Sequence, residues 1–288
     1  MELQAVSKCL TPYMLKEQQI PVPCGKCPAC ISRRTSGWSF RLMQEDKRAS
    51  SALFVTLTYD TDHVPITNNG FMSLQKKDVQ LFFKRLRKLE KNKLKYYLAG
   101  EYGGKFKRPH YHIILFNAFI DPLAFKNCSP RDIHPKYTNI SKAWTLGSIQ
   151  QGTVTAASVG YTLKYISKDK RPTHKNDDRV SEFQLMSKGL GSNYLTEAMI
   201  NWHKSDLINR MYCNIELEKK ISMPRYYKQK LYDEYELFLI QQKAKEDQSE
   251  YYAEMQKKYG DDWEQQLKMI AADKFRQMYK KSLQNQTL

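Results

Sequence analysis

The sequence predicts an α+β fold: a central antiparallel sheet of split-βαβ type with helices packed on it, a Cys-rich N-terminal segment and a helical C-terminal region. Three observations carry this prediction. Between about residues 52 and 155, strand-like and helix-like segments follow in the order β-α-β-β-α-β. Four of the six cysteines fall in residues 1–48. From Met223 onward the chain is rich in Gln, Lys and Glu, with Tyr and Leu at helical intervals. A chain of 288 residues with 41% apolar content can bury one good core and a smaller second unit.

The elements are justified in order. The basic, Trp-containing stretch ISRRTSGWSFRLMQEDKRA reads as a helix. Ala52 to Tyr59 (ALFVTLTY) is rich in β-branched and aromatic residues and reads as a strand, ended by a turn over Asp60 to Pro65. Ser73 is the expected cap of QKKDVQLFFKRLRKLEK, in which Val79, Phe82, Phe83, Leu86 and Leu89 share one face and basic residues cover the other. Lys95 to Glu101 and His110 to Phe116 read as two strands, Tyr137 to Leu146 as a short helix carrying Ile140 and Trp144, and Ser148 to Thr155 as a further strand. Ser158 to Lys168 reads as a helix, RPTHKNDDR as a loop in which His174 is solvated, and SKGLGSNYL as a glycine turn.

Charge narrows the class of partner. The formal charge is +17, and from Glu216 onward 14 Lys and Arg face 13 Asp and Glu, which leaves +16 on residues 1–215. An excess of this size, interleaved with aromatics, fits a polyanion: nucleic acid first, an acidic membrane surface second. No run reaches transmembrane length, and MELQAVSKCL lacks a signal-peptide pattern, so a cytosolic chain with reduced thiols and no membrane partner is expected. No G-x-x-x-x-G-K-[ST] occurs, so no nucleotide cofactor is expected either.

Two motifs carry chemistry. In RPHYHIILF, a strand puts His110 and His112 on one face, where two imidazoles can hold one metal ion; the pair alone is read equally well as surface histidines. Glu101 ends the preceding strand, and a hairpin can return its carboxylate to the same place. In VGYTLKYISK, a 100° step gathers Tyr161, Lys164, Tyr165 and Lys168 on one side, opposite Val159, Leu163 and Ile166. Phenols beside ammonium groups suit attack on a phosphodiester. Roughly one Y-x-x-x-Y pair is expected by chance at this tyrosine content. The weight of the pair comes from its lysines and from the upstream H-x-H strand.

Cys24, Cys27 and Cys30 form C-x2-C-x2-C, and Cys9 is the candidate fourth ligand of a structural zinc; an iron–sulfur cluster and plain thiols are the other readings. Cys128 and Cys213 read as isolated thiols. Candidate DNA contacts are Arg33, Arg34 and the SKGLG loop with Lys188, Gly189 and Gly191, the loop being equally an ordinary glycine turn. The chain thus divides into a Cys-rich segment (1–48), a catalytic core (49–170), a DNA-contacting loop region (171–222) and a helical accessory region (223–288).

ALFVTLTY, GEYGGKFKRPHYHIILF and GYTLKYISK, in that order, resemble the three motifs of HUH-superfamily rolling-circle replication initiators. With VPCGKCPACISRR and MPRYYK, the chain looks most like initiators of gokushovirus-type microviruses, small single-stranded DNA phages. The resemblance implies a ferredoxin-like HUH fold, Mg²⁺ or Mn²⁺ on Glu101, His110 and His112, and strand nicking by Tyr161 and Tyr165. It implies transesterification at a single-stranded viral origin, a 5′-phosphotyrosine, and a free 3′ hydroxyl for a host polymerase, with a host helicase, in the cytoplasm of a bacterial host. Tyr111, between the histidines, departs from the family's aliphatic residue, but faces the other side of the strand. A noncatalytic nucleic-acid-binding module and an HUH relaxase or transposase are the alternatives.

Overall fold

A computed structural model of the chain describes residue 9 and residues 13–15, 20–164, 176–216 and 219–284. The chain forms two compact units, one of residues 41–193 and one of residues 1–40 with 194–288. Its first elements are β1 (Tyr13–Leu15), β2 (Ile20–Val22), α1 (Pro28–Asp46), β3 (Ala52–Tyr59), α2 (Lys76–Leu89), β4 (Lys95–Tyr102), β5 (Pro109–Phe116), α3 (Ala124–Asn127) and α4 (Ile140–Ala143). There follow β6 (Gly147–Thr153), α5 (Ala156–Lys164), β7 (Phe183–Met186), α6 (Glu197–Lys204), β8 (Tyr212–Glu216), β9 (Lys219–Ser222), α7 (Arg225–Leu231), α8 (Glu234–Tyr259) and α9 (Trp263–Gln284).

The 41–193 unit is built on a five-stranded sheet of order β6-β3-β5-β4-β7 in which all neighbours are antiparallel. Alternation along the strands gives the sheet two different faces. Leu53, Val55, Leu57 and Tyr59 of β3 and Tyr111, Ile113 and Leu115 of β5 point to one side and are buried there with Val79, Phe82, Phe83 and Leu86 of α2. Burial of each such side chain contributes about 1.5–3 kcal/mol, which makes this layer the core of the unit. Trp144, just past α4, fills the same layer and lies edge-on to Phe82 with ring centroids 6.1 Å apart.

Within that core the hydroxyls are paired. Tyr59 Oη donates to Asp78 Oδ2 at 2.8 Å and lies 2.9 Å from Tyr111 Oη. Tyr111 Oη in turn accepts the Gln75 N–H at 2.8 Å. The residue between the two histidines therefore fastens β5 to the first turn of α2.

Several elements differ in detail from the sequence reading. The cap of α2 is Gln75, whose side chain accepts from the Lys77 N–H, because Ser73 is buried and its Oγ accepts the Val180 N–H at 3.1 Å. Leu89 stays exposed, at the end of the helix where the amphipathic face leaves the core. The expected helix over 137–146 is a 3₁₀ turn (Pro135–Tyr137) followed by the single turn α4. Residues 171–222 are not simply a loop: β7 pairs with β4 from Tyr97↔Met186 to Gly100↔Phe183, and α6, β8 and part of β9 follow.

The other unit joins α6 to α9 with the N-terminal residues. Phe40 packs edge-on against Tyr194 and Tyr227, and Tyr194 Oη lies 2.8 Å from His203 Nε2. Asp233 and Glu236 form a capping box at the start of α8.

Phe82→Ala is expected to cost about 3–5 kcal/mol, read by urea denaturation, because a fully buried ring leaves a cavity. Burial pushes the Tyr111 phenol up to about 12 and raises Tyr59 as well. Both therefore stay protonated in the fold while the unfolded chain ionises at the ordinary value of 10.0. Their stabilising contribution is complete below pH 10 and is lost as the pH rises toward 12. Tyr111→Phe should flatten that alkaline slope and cost about 1–3 kcal/mol at neutral pH, since the Gln75 N–H loses its acceptor.

Candidate active site

The sheet face opposite α2 carries the polar residues in ranks set by strand register. Ser148, Thr58, His110 and Glu101 are successive cross-strand partners from β6 to β4. The next rank is Gln150, Thr56, His112, Ala99 and Gln184, and the one after it Gly152, Phe54, Ile114, Tyr97 and Met186. Helix α5 lies against β5 and β4 with Thr162 and Leu163 buried. Ser148 and Gln150 remain exposed on the polar ranks.

α5 starts where Thr155 and Ser158 bond reciprocally: the Ser158 N–H donates to Thr155 Oγ1 at 3.1 Å and the Thr155 N–H to Ser158 Oγ at 2.9 Å. That start sets the rotation of the helix and directs Tyr161 at the histidine face. Tyr161 Oη donates to Glu101 Oε1 at 3.3 Å, and its ring stands edge-on to His112 with centroids 5.0 Å apart. The ring is still 43% exposed, and a Cβ on the preceding Gly160 would meet nothing within 4 Å, so the surface beside the phenol is open.

Glu101 and His112 are both buried, and His112 Nε2 lies 2.6 Å from Glu101 Oε1. Two threonines of β3 orient the imidazoles from behind: Thr56 Oγ1 is 3.1 Å from His112 Nδ1 and Thr58 Oγ1 is 3.0 Å from His110 Nδ1. Each ring thereby turns its Nε2 away from β3, the arrangement that outer hydrogen-bond partners impose on ligating histidines. Phe54 stacks on His112 with ring planes 7° apart. His110 stands farther out, its ring centroid 6.3 Å from that of His112. Burial, reinforced by the neighbouring His112, holds it below the usual imidazole range and so in the neutral, ligand-competent form. Its Nε2 abuts the backbone at Gly103, where a Cβ would come within 2.9 Å of it. Two imidazole nitrogens and a carboxylate on one face suit a divalent cation that accepts oxygen and nitrogen ligands.

Beside His110 a cleft of about 530 Å³ opens between Met72, the Gly103–Phe106 turn and Arg108. This turn joins β4 to β5, carries Lys105, Lys107 and Arg108 without an acidic residue, and holds Phe106 73% exposed. Arg108 donates to Tyr59 O at 2.9 Å, which ties the turn to β3.

Of the residues singled out from sequence, Glu101, His112 and Tyr161 are in contact and His110 is adjacent. Tyr165 and Lys168 lie outside the described residues, as do Ile166, His174 and the Lys164 side chain. The SKGLG loop is held by its own backbone: Gly191 N–H donates to Glu45 Oε2 at 2.7 Å, and Gly189 O accepts from Lys95 Nζ at 3.0 Å. Lys188 is exposed on it. Arg34 donates to Gly25 O at 2.7 Å, and Arg33 is half-buried beside Lys228, whose ammonium burial and that guanidinium hold below its usual range. Sequence reasoning misses Thr56, Thr58 and Phe54, although the period-two pattern of ALFVTLTY places them opposite the core residues. Cys9, Cys24, Cys27 and Cys30 are the one group of three or more Cys, His, Asp or Glu among the described residues whose ligand atoms all fall within 4.8 Å of one another. Such a set can hold a metal ion such as zinc. No described helix is long and apolar enough to cross a membrane.

Comparison with known proteins identifies the span that bears this site. The profile of the replication-associated protein ORF2 family matches residues 52–170, from the first residue of β3 to just past α5. The chain is 31% identical over 234 residues to replication-associated protein ORF2 of Spiroplasma virus 4, covering 77% of this chain and 72% of that one. It is 30% identical over 215 residues to replication-associated protein VP4 of Bdellovibrio phage phiMH2K, covering 71% and 65%, and 26% identical over 167 residues to replication-associated protein ORF4 of Chlamydia phage 1, covering 54% and 40%. No solved structure matches the chain. All four residues of the described site lie inside the matched span, and the chain belongs to the replication-associated protein ORF2 family.

Proposed function

We propose that this chain initiates replication of a single-stranded DNA phage by nicking a single-stranded origin through a tyrosine. The observation that carries the reading is the meeting of Tyr161 Oη with Glu101 Oε1 at 3.3 Å, beside His112. A phenol, a carboxylate and two imidazoles on one open face are what strand transfer needs, and a passive binding surface needs none of them together. The strand order, with β5 between β3 and β4, supports the split-βαβ platform of HUH endonucleases. The replication-associated names of the relatives support the biological role.

In this reading Glu101, His110 and His112 hold Mg²⁺ or Mn²⁺, which when bound supplies positive charge to the phosphate oxygens. Tyr161 Oη attacks the phosphorus, the P–O3′ bond breaks, and the strand keeps a 5′-phosphotyrosine while a 3′ hydroxyl is freed. Glu101, already accepting the phenol's hydrogen bond, is placed to take its proton. The phosphotyrosine conserves the energy of the phosphodiester, so the ends can later be rejoined into a circle. Tyr165 lies four residues on in sequence and serves as the second nucleophile, with Lys164 and Lys168 as phosphate partners. The free 3′ hydroxyl primes a host polymerase, and unwinding falls to a separate host helicase. The basic turn at 103–108 guides the strand past His110, with Phe106 offering a stacking surface to an unpaired base. This chemistry is shared with relaxases and transposases of the superfamily; the origin as substrate rests on the relatives.

The test is incubation with Mn²⁺ and oligonucleotides tiling the viral origin, followed by denaturing electrophoresis. Wild type should give a covalent protein–DNA band. Tyr161→Phe and Tyr165→Phe singly should retain some nicking, and the double variant should lose the band; an adduct that persists there puts the nucleophile elsewhere. Binding without any adduct in wild type would assign a noncatalytic module. Glu101→Gln should slow cleavage on the order of 100-fold or more. Thr56→Val should raise the metal concentration required by about 10–100-fold, because His112 loses its orienting partner. In EDTA, Phe106→Ala should cost about 1–3 kcal/mol in single-strand affinity by fluorescence anisotropy.

A further inference from the structure

We infer that Cys9, Cys24, Cys27 and Cys30 form a tetrahedral structural zinc site that holds the N-terminal segment on the first turn of α1. All four sulfurs lie within 4.8 Å of one another, and Cys9 Sγ is 3.9 Å from Cys27 Sγ. Zinc–sulfur bonds of about 2.3 Å in a tetrahedron put sulfurs about 3.8 Å apart. A four-iron cluster would spread its cysteine sulfurs to about 6 Å, wider than this cage allows.

The surroundings are those of thiolates. The Cys24 N–H donates to Cys9 Sγ at 3.2 Å, and the Lys26 and Cys27 N–H groups donate to Cys24 Sγ at 3.4 and 3.2 Å. Charge-assisted bonds of this kind orient sulfur ligands toward an ion. Gly25 takes φ +73°, a left-handed turn that glycine adopts without strain, and this turn folds Cys24 back over Cys27. Arg34 fixes the turn from α1 by donating to Gly25 O at 2.7 Å. Cys27 and Cys30 flank the start of α1 at Pro28, where unpaired amides favour negative charge.

The second line of argument is what the cluster lacks. Among the described residues its buried members are Cys27, Ala29 and Cys30, with Cys9 and Cys24 packed against them, and no large apolar side chain is among them. Transfer of so little apolar surface cannot order a segment that returns from residue 9 to residue 24. Metal binding supplies the missing free energy, as in other small metal-held modules. Without a cation, burial first of all pushes the Cys30 thiol up to about 12, so the empty cage is protonated and loosely held.

The test uses the full chain, purified under reducing conditions without chelator. Elemental analysis should find about one zinc per chain. Cobalt exchanged into the site should show thiolate-to-cobalt charge transfer and the visible bands of tetrahedral coordination. Cys27→Ser should lose most of the bound zinc, whereas Cys128→Ser and Tyr161→Phe keep it. Because Cys27→Ser can fail to fold, wild type is also stripped with a strong chelator: the melting temperature should fall, and four additional thiols should become reactive and be protected again by added zinc. Metal-free protein with all thiols reactive and an unchanged melting temperature overturns the inference, as does stoichiometric iron with a charge-transfer spectrum. Nicking activity enters none of these readouts, so the zinc site and the nicking reading stand or fall separately.

Discussion

The organisation of the 41–193 unit depends on the two-faced pairing of β5. This strand is central, bonded on one side to β3 and on the other to β4 over nearly its whole length. Tyr111, Ile113 and Leu115 are fully buried on one face, so His110 and His112 must emerge on the other. A slip of one residue would drive both imidazoles into the apolar core and expose three large side chains, a cost far beyond any local gain. The apolar half of the strand thus positions the polar half. Tyr111 adds a further constraint, since its hydroxyl is locked to Gln75 and Tyr59 and cannot exchange faces cheaply.

Everything else on the candidate active face is a consequence of register. Once β3 pairs with β5 as it does, Thr56 falls opposite His112 and Thr58 opposite His110, and each hydroxyl meets an Nδ1. β4 brings Glu101 opposite His110, from where its carboxylate reaches diagonally to His112. Then α5 covers the apolar rank and leaves the polar ranks open, with Tyr161 at the border between them. A rigid sheet carries the metal-ligand candidates, and a short helix with an exposed, sparsely packed outer side carries the candidate nucleophile. This division is suited to chemistry in which one partner stays fixed while the other forms and breaks a covalent bond.

Much of this is legible in the strand and helix patterns. ALFVTLTY and HYHIILF show their alternation openly, and the five apolar positions of α2 repeat at helical spacing, so the core face is readable with the exception of Leu89. The trio of Glu101, His112 and Tyr161 is readable as residue types in order. The misreadings share one cause. Ser73 looks like a cap because serine caps helices, yet a contact with Val180, more than a hundred residues away, draws its hydroxyl elsewhere. The glycines of SKGLG look like a phosphate turn, yet Glu45 and Lys95 occupy the groups that would serve. β7 escapes a sequence reading because four residues with no clear alternation become a strand only beside an edge that needs pairing.

The sequence by itself determined the α+β character, the amphipathic layers, the clustering of cysteines near the N-terminus and the residue types available for phosphodiester chemistry, because these follow from local periodicity and composition. Only the tertiary structure decided which hydroxyl orients which histidine, that the phenol of Tyr161 meets Glu101, that Phe106 stands beside His110 at the mouth of a cleft, and that Cys9 closes the sulfur cage. Each of these is a contact between groups whose separation is set by strand register, helix rotation or chain return. Such distances are sums over many backbone angles, and no local pattern encodes them.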